Sequence, residues 1–330
     1  ALVVDPLDGS VWVGTGAELK RYGLDSRLLK SLTLNGHPSE RINHLAFYAD
    51  AFPPKINVTA PKANSYTNNN KPSIGLSYSD IGSGVDTHTI RVLANEQQLD
   101  IDCDAKDDEA HCTPKAALPD GKTGIKATVK DYASNVSEPA KVIFTVDTVP
   151  PTITVTQPQN DAYTNKPQLT IAGSLSETAS LMVDGAPVIP NLNLSFSYTI
   201  KLTEGVNKFE LTATDLADNA ASISRTITLD TTPPPPPSLN LISVSGPDSS
   251  GKVTVTGKPG TVEPGDTVTL ANTRTGQSVT VTSGADGSFT ATIAAQASDK
   301  LAITAIDKAG NATPAPQRLE LMSFLVYGVS

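Results

Sequence analysis

The residues best placed for chemistry are carboxylates that recur at fixed spacing. Asp131-Tyr-Ala-Ser-Asn135, Asp215-Leu-Ala-Asp-Asn219 and Asp307-Lys-Ala-Gly-Asn311 repeat one phrase. A second phrase, Asp-Thr-Val-Pro-Pro at 147–151 and Asp-Thr-Thr-Pro-Pro at 230–234, opens on Asp147 and Asp230. Hard divalent cations want several oxygens from clustered carboxylates and carbonyls. Asp131, Asp147, Asp215, Asp230 and Asp307 are therefore candidate calcium ligands near domain ends, and no other cofactor is expected. The simpler reading is that the Asp and Asn of these phrases cap their own turns through side-chain to backbone hydrogen bonds.

Other reactive residue types are sparse. The four histidines, His37, His44, His88 and His111, form no His-Glu-x-x-His pair. Ser83 between Gly82 and Gly84 is not a nucleophile elbow, which needs a following helix. The acidic residues fall in turns of separate small segments, so they lack the shared cleft that glycoside hydrolysis needs. Asp100, Asp102 and Asp104 mimic the start of an EF-hand loop, but Ala105 replaces the required glycine and His111 stands at position twelve. With Asp107, Asp108 and Glu109 they read mainly as solvated surface. Cys103 and Cys112 flank this segment. A disulfide stapling a hairpin, which favours an oxidising compartment, is the leading reading. Metal ligation with His111 lacks a second ligand pair at zinc spacing, and two free thiols is the third reading. The sequence predicts no catalysis within these residues.

The bulk properties agree. The chain has 330 residues and a formal net charge of −9, with 38% aliphatic and aromatic residues and only 5% aromatics. No basic run offers a surface to nucleic acid, and no stretch approaches the roughly 18 apolar residues of a membrane span. The start, Ala-Leu-Val-Val-Asp, lacks the basic flank of a signal peptide. The expectation is that a leader was removed or that this is a piece of a longer chain.

What must position the carboxylates is strand. Each Asp-x-Ala-x-Asn phrase follows an alternating apolar/polar run: Ile125–Val129, Phe209–Ala213 and Leu301–Ala305. Ile56-Asn-Val-Thr-Ala-Pro61 recurs as Ile153-Thr-Val-Thr-Gln-Pro158, and Ser77-Tyr-Ser-Asp80 as Ser174-Leu-Ser-Glu177, both at an offset of 97. The offset falls to 84 between Asp131 and Asp215, so the first repeat carries an insertion, with the Cys103–Cys112 loop its obvious seat. Self-similarity of this length indicates duplication. In the second repeat, strands are predicted near 152–157, 168–175, 179–184, 194–202, 206–214 and 221–229. The predicted inward residues are Leu169, Ile171, Leu181, Val183, Phe196, Tyr198, Phe209, Leu211, Ala213, Ile223 and Ile227. Short antiparallel strands at this spacing imply two-sheet sandwiches. The run Pro233–Pro237 should form a polyproline II linker.

Gly173-Ser-Leu-Ser-Glu177, Met182-Val-Asp-Gly185, Leu202-Thr-Glu-Gly-Val-Asn207 and Ala213-Thr-Asp-Leu-Ala-Asp-Asn219 resemble bacterial extracellular immunoglobulin-like domains of the adhesin and glucodextranase-accessory type. Asp80-Ile-Gly-Ser-Gly-Val-Asp86 is similar to a related variant. The resemblance covers roughly 55–324 and implies the fold more than the function. It departs at Asp218, where the family usually has glycine. Asp5-Pro-Leu-Asp-Gly9 and Trp12-Val-Gly14 resemble one blade of an NHL-like β-propeller, with Ile42–Phe47 opening a second.

The resulting expectation is an all-β chain of three tandem immunoglobulin-like β-sandwiches with an N-terminal β-propeller-like segment. Residues 1–52 are the partial propeller and 53–149 the first sandwich with its Cys103–Cys112 loop. The second sandwich is 150–232, the linker 233–237, the third sandwich 238–324 and the tail 325–330. The expected role is a non-catalytic structural or adhesive rod of a secreted or cell-surface bacterial protein. Two alternatives stay open: accessory modules of a secreted, carbohydrate-active enzyme, or a subunit of a fibre built by strand addition. Expected partners are other domains of a longer parent chain, neighbouring subunits, or a surface glycan or protein receptor, with no nucleic acid and no membrane span.

Overall fold

The computed structural model describes residues 2–5, 10–15, 18–23, 27–33 and 50–320. Alternation of apolar and polar residues makes strand their main regular structure. The chain forms two compact units, one running to Val149 and including Leu216–Asn219, the other holding Pro150–Asp215 and the chain from Ala220.

In the first unit, β1 (Leu2–Val4), β2 (Val11–Thr15), β3 (Glu18–Tyr22) and β4 (Leu28–Thr33) form one antiparallel meander in sequence order. Arg21 lies over the Trp12 ring at 5.6 Å and donates from Nε to Ser10 Oγ at 2.9 Å. Among the described residues, none in these strands joins a hydrophobic cluster of the sandwiches. The expectation of a propeller is not supported: the meander is a single sheet, and no closure into a ring is seen among the described residues. One four-stranded sheet cannot close a ring, and the second blade expected at Ile42–Phe47 lies outside the described residues.

The same unit contains a two-sheet sandwich. One sheet holds β5 (Lys55–Ala60), β7 (Ile74–Ser79), β10 (Ile101–Ala105) and β11 (Glu109–Pro114) in the order β10-β11-β7-β5. The other holds β6 (Tyr66–Thr67), β8 (Val85–Ala94), β9 (Gln97–Gln98), β12 (Gly121–Asp131) and β13 (Ala140–Val146) in the order β6-β13-β12-β8-β9. Ile74, Leu76, Val92, Ile125, Ala127 and Phe144 fill the space between them and are almost fully buried. Each large side chain so buried contributes about 1.5–3 kcal/mol.

The second unit repeats this plan twice. β14 (Ile153–Gln157), β16 (Gln168–Leu175) and β19 (Ser195–Lys201) form a three-stranded sheet in the order β14-β16-β19. It faces β15 (Ala162–Thr164), β17 (Ala179–Val183), β18 (Ala186–Val188), β20 (Gly205–Asp215) and β21 (Ala220–Leu229), ordered β15-β21-β20-β17-β18. Every residue expected to point inward belongs to this core. Leu169, Tyr198 and Ile223 sit at its partly buried margin, and Leu175, Ile200 and Leu229, outside the predicted set, are buried within it. Gly173 is required by a close approach: a Cβ there would lie 2.0 Å from the Thr154 carbonyl and 2.7 Å from the Phe196 ring.

After Pro233–Pro237 comes a short 3-10 turn, Leu239–Leu241. The last sandwich follows with β22 (Ile242–Val244), β23 (Lys252–Gly257), β24 (Thr267–Asn272), β25 (Ser278–Thr282), β26 (Phe289–Ala294), β27 (Lys300–Ile306) and β28 (Gln317–Glu320). Its sheets run β22-β23-β26 and β25-β24-β27-β28. Asp299 knits this sandwich together. The Arg274 guanidinium, the Gln296 N–H and the Asn272 amide hold its carboxylate well below the usual range.

The insertion in the first repeat is a strand. β10 adds to the outer side of β11, a position with no strand beside β19 or β26 among the described residues. Cys103 and Cys112 are directly opposed in this hairpin and joined by a disulfide. Asp100, Asp102 and Asp104 therefore lie along an extended edge instead of curling round an ion, and Lys115 pairs with Asp100 at 2.9 Å. The Tyr78 hydroxyl, 2.7 Å from both the Lys106 and Glu109 carbonyls, anchors the hairpin tip. Replacing both cysteines by serine removes the constraint on a loop with sequence separation 9. The first sandwich should lose about 2–3 kcal/mol, measured by denaturant unfolding of the whole chain with and without the substitutions.

Candidate functional site

The recurring phrase forms the hairpin turn that follows β12, β20 and β27. Its fourth residue takes the left-handed conformation each time: Ser134 at φ 70°, Asp218 at φ 68° and Gly310 at φ 91°. Asp218 thus keeps the turn that glycine would make, because aspartate tolerates this region better than most residues.

Within the turn the aspartate and asparagine bind each other. Asp131 Oδ1 accepts the Asn135 backbone N–H at 2.7 Å and Oδ2 accepts the Asn135 side-chain amide at 2.8 Å. Asp307 and Asn311 repeat both bonds at 2.9 and 2.8 Å. These are charge-assisted bonds to carboxylates, and Asp131 is only 2% exposed. So far the capping reading holds.

The asparagine amide also reaches outside its turn. Asn135 Nδ2 donates to the Asp50 carbonyl at 2.8 Å, Asn219 Nδ2 to the Asp147 carbonyl at 2.8 Å, and Asn311 Nδ2 to the Asp230 carbonyl at 2.7 Å. Each acceptor lies in the segment that leads into the sandwich bearing the turn. The phrase is therefore a clamp on the incoming chain. In the second unit Lys308, inside the last turn, also sits 5.9 Å from the Tyr163 ring centroid.

Asp147 and Asp230 contribute their backbones. Each carbonyl receives the clamp, and each N–H joins a short parallel strand, Asp147 to the Thr67 carbonyl and Asp230 to the Thr164 carbonyl. Their side chains cap locally, on Val149 N–H at 3.2 Å and Thr232 N–H at 2.9 Å.

Carboxylates do cluster beside two of the turns. Asp131 meets Asp50 and Asp80, with one oxygen of each inside 4.8 Å of the others. Asp50 is held below the usual carboxylate range by the Ser83 N–H and then by the Phe52 N–H. Asp80 Oδ2 accepts the Gly82 and Gly84 N–H groups, while Oδ1 is buried with no hydrogen-bond partner. The repeat counterparts of Asp80 and Asp131 are Glu177 and Asp215, and their oxygens also come within 4.8 Å. Asp50 and Asp80 were not singled out as ligands in the sequence. The 97-residue offset, which carries Asp50 to Asp147 and Asp80 to Glu177, was the signal that could have found them.

Near Asp307 the acidic neighbour is Asp266, 3% exposed, with Oδ2 buried and unpartnered. Burial first, then Glu263 and Asp307, push its carboxyl up to about 6. A carboxyl raised in the folded state stabilises the fold below its unfolded value, and that contribution is lost as pH rises through the folded value. The last sandwich should therefore be more stable near pH 5 than near pH 7. Asp266→Asn should flatten this dependence, as read by calorimetry across that range. Asn311→Ala removes the clamp and leaves Asp307 Oδ2 short of a partner. It should destabilise the last sandwich by about 1–3 kcal/mol, measured by the same method.

Residues 57–148 match the model of the bacterial Ig-like domain, and residues 151–231 that of glucodextranase, domain B. The chain is 27% identical over 180 residues to bacillopeptidase F of Bacillus subtilis (strain 168), an alignment covering 54% of this chain and 12% of that protein. The chain thus spans only a small part of the curated relative it matches. Among solved structures it is similar to the fibronectin(III)-like modules of CbhA from Clostridium thermocellum, at 21% identity and TM-score 0.34, covering 53% of this chain and 94% of that one. A Ca2+-stabilized adhesin that helps an Antarctic bacterium bind ice aligns at 18% identity and TM-score 0.36, over 83% of this chain and 74% of that one. An I-band fragment of titin aligns at 10% identity and TM-score 0.42, over 80% and 96%.

Proposed function

We propose that this chain is a non-catalytic structural or adhesive segment of a secreted or cell-surface bacterial protein. In this reading residues 53–149, 150–232 and 238–324 are tandem immunoglobulin-like sandwiches that act as a semi-rigid spacer. The clamp carries the reading. At each recurring turn the asparagine amide is spent on the chain entering the sandwich, which stiffens a junction. The Pro233–Pro237 run adds a second stiff element. The Cys103–Cys112 disulfide supports an oxidising, extracellular setting. Partners would be other domains of a longer parent chain, neighbouring subunits, or a surface glycan or protein receptor.

The β1–β4 meander is what one blade of an NHL-like propeller would contribute, with the remaining blades supplied by the parent protein. The match of 151–231 to glucodextranase, domain B favours a second reading, accessory modules of a secreted enzyme whose catalytic domain lies elsewhere. Among the described residues, Tyr66, Tyr132 and Tyr163 are the exposed tyrosines that could stack on sugar in that case.

Calcium would belong to the same junctions. Asp50, Asp80 and Asp131 offer clustered oxygens and the unpartnered Asp80 Oδ1, a hard donor set of the kind calcium takes. Asp147, Asp215, Asp230 and Asp307 hold the corresponding positions in the later repeats. One experiment tests spacer and ion together. Small-angle scattering of the chain, with calcium or with chelator, should give an elongated particle in both. Calcium should raise the melting temperature of the first sandwich, and Asp80→Asn should cancel that rise. A compact particle with a radius of gyration near about 20 Å would sink the spacer reading.

A further inference from the structure

The outer side of β11 is filled by β10, whereas no strand of the described residues covers the same side of β19. We infer that the open edge of β19 pairs antiparallel with the same edge of a second copy of this chain. The first sandwich supplies an internal precedent, since β10 occupies this edge in antiparallel register over five residue pairs from Ile101↔Pro114 to Ala105↔Ala110.

The edges of these sheets differ in how they discourage pairing. β5 and β14 break their ladders with register shifts between Val58 and Ala60 and between Val155 and Gln157. β10 lines its edge with exposed Asp102 and Asp104. Bulges and edge charges are the devices that block strand addition. β19 has neither: it pairs with β16 without a shift from Ser195 to Lys201. Its exposed face carries Ser197 and Thr199, and Lys201 is the single charge, at the strand end. The chain carries a net −9, yet residues 185–203 contain no carboxylate. Two copies can therefore approach here without the repulsion they meet elsewhere.

The loop entering β19 sharpens the inference. It joins β18, the edge of the facing sheet, to β19, and it exposes Ile189 at 91% and Leu192 at 107%. The loop folds back once, through Asn191 N–H to the Ser195 carbonyl, so pairing would run over 196–201. In an antiparallel pair, the loop of one copy lies beside the end of the other's β19, which covers both apolar side chains. β26 is uncovered too, but the turn before it, 283–288, carries Asp286 and no large apolar residue.

Sedimentation velocity on the whole chain, from micromolar to about 1 mM, should show a dimer growing with concentration. Amide hydrogen exchange over 196–201 should slow in step, while exchange over 289–294 stays constant. Ser197→Lys with Thr199→Lys places like charges across the pair and should weaken dimerisation at least about tenfold. Both sites are exposed, and circular dichroism checks that the fold is kept. A chain monomeric throughout, a dimer indifferent to the two lysines, or protection confined to other strands would overturn the inference. An elongated monomer would remove this contact and leave the spacer reading standing.

Discussion

A buried carboxylate must be given hydrogen-bond donors or it becomes a liability of several kcal/mol. At Asp131 the chain meets this demand locally, with the backbone and side-chain amides of Asn135. Once that asparagine is committed, its second side-chain hydrogen is aimed by geometry. It points at the Asp50 carbonyl, in the segment that brings the chain into the sandwich. The turn, the end of β12 and the incoming backbone are thereby one hydrogen-bonded assembly. The same assembly recurs at Asp307 and Asn311 with the Asp230 carbonyl. Closing each sandwich and holding the chain that enters it are two consequences of one side-chain pair.

The cores are simpler. Each sandwich is small, so it depends on a few fully buried side chains such as Phe144, Ile171 and Leu270, backed by local staples. The first uses a disulfide across β10 and β11, and the last uses Arg274, Asn272 and Asp299. The middle sandwich has neither and relies on core packing and its turns. These staples differ from one sandwich to the next, while the inward alternation of the shared plan is kept.

Strand positions in the middle repeat were legible because period-two alternation is a local signal. β16 runs from Gln168 to Leu175 where a strand over 168–175 is predicted, and β20 extends one residue beyond its predicted bounds at each end. The short strands β15 and β18 were not legible, since three residues carry no period. The acidic segment at 100–109 was misleading in part. Its Asp-x-Asp-x-Asp spacing suits a coordinating loop and an exposed strand equally, and pairing with β11 selects the strand.

The candidate site divides along the same line. The sequence alone determined that the phrase is a turn, that it occurs three times, and that Cys103 and Cys112 flank an acidic segment, because each is a matter of residue type and spacing along the chain. Only the tertiary structure decided which carbonyl each asparagine holds, that Asp50 and Asp80 join Asp131, and which strand edges stay uncovered. Those partners are 51 to 85 residues apart in the chain. Contacts at that separation are set by how sheets stack and where strands end, and local pattern carries no record of either.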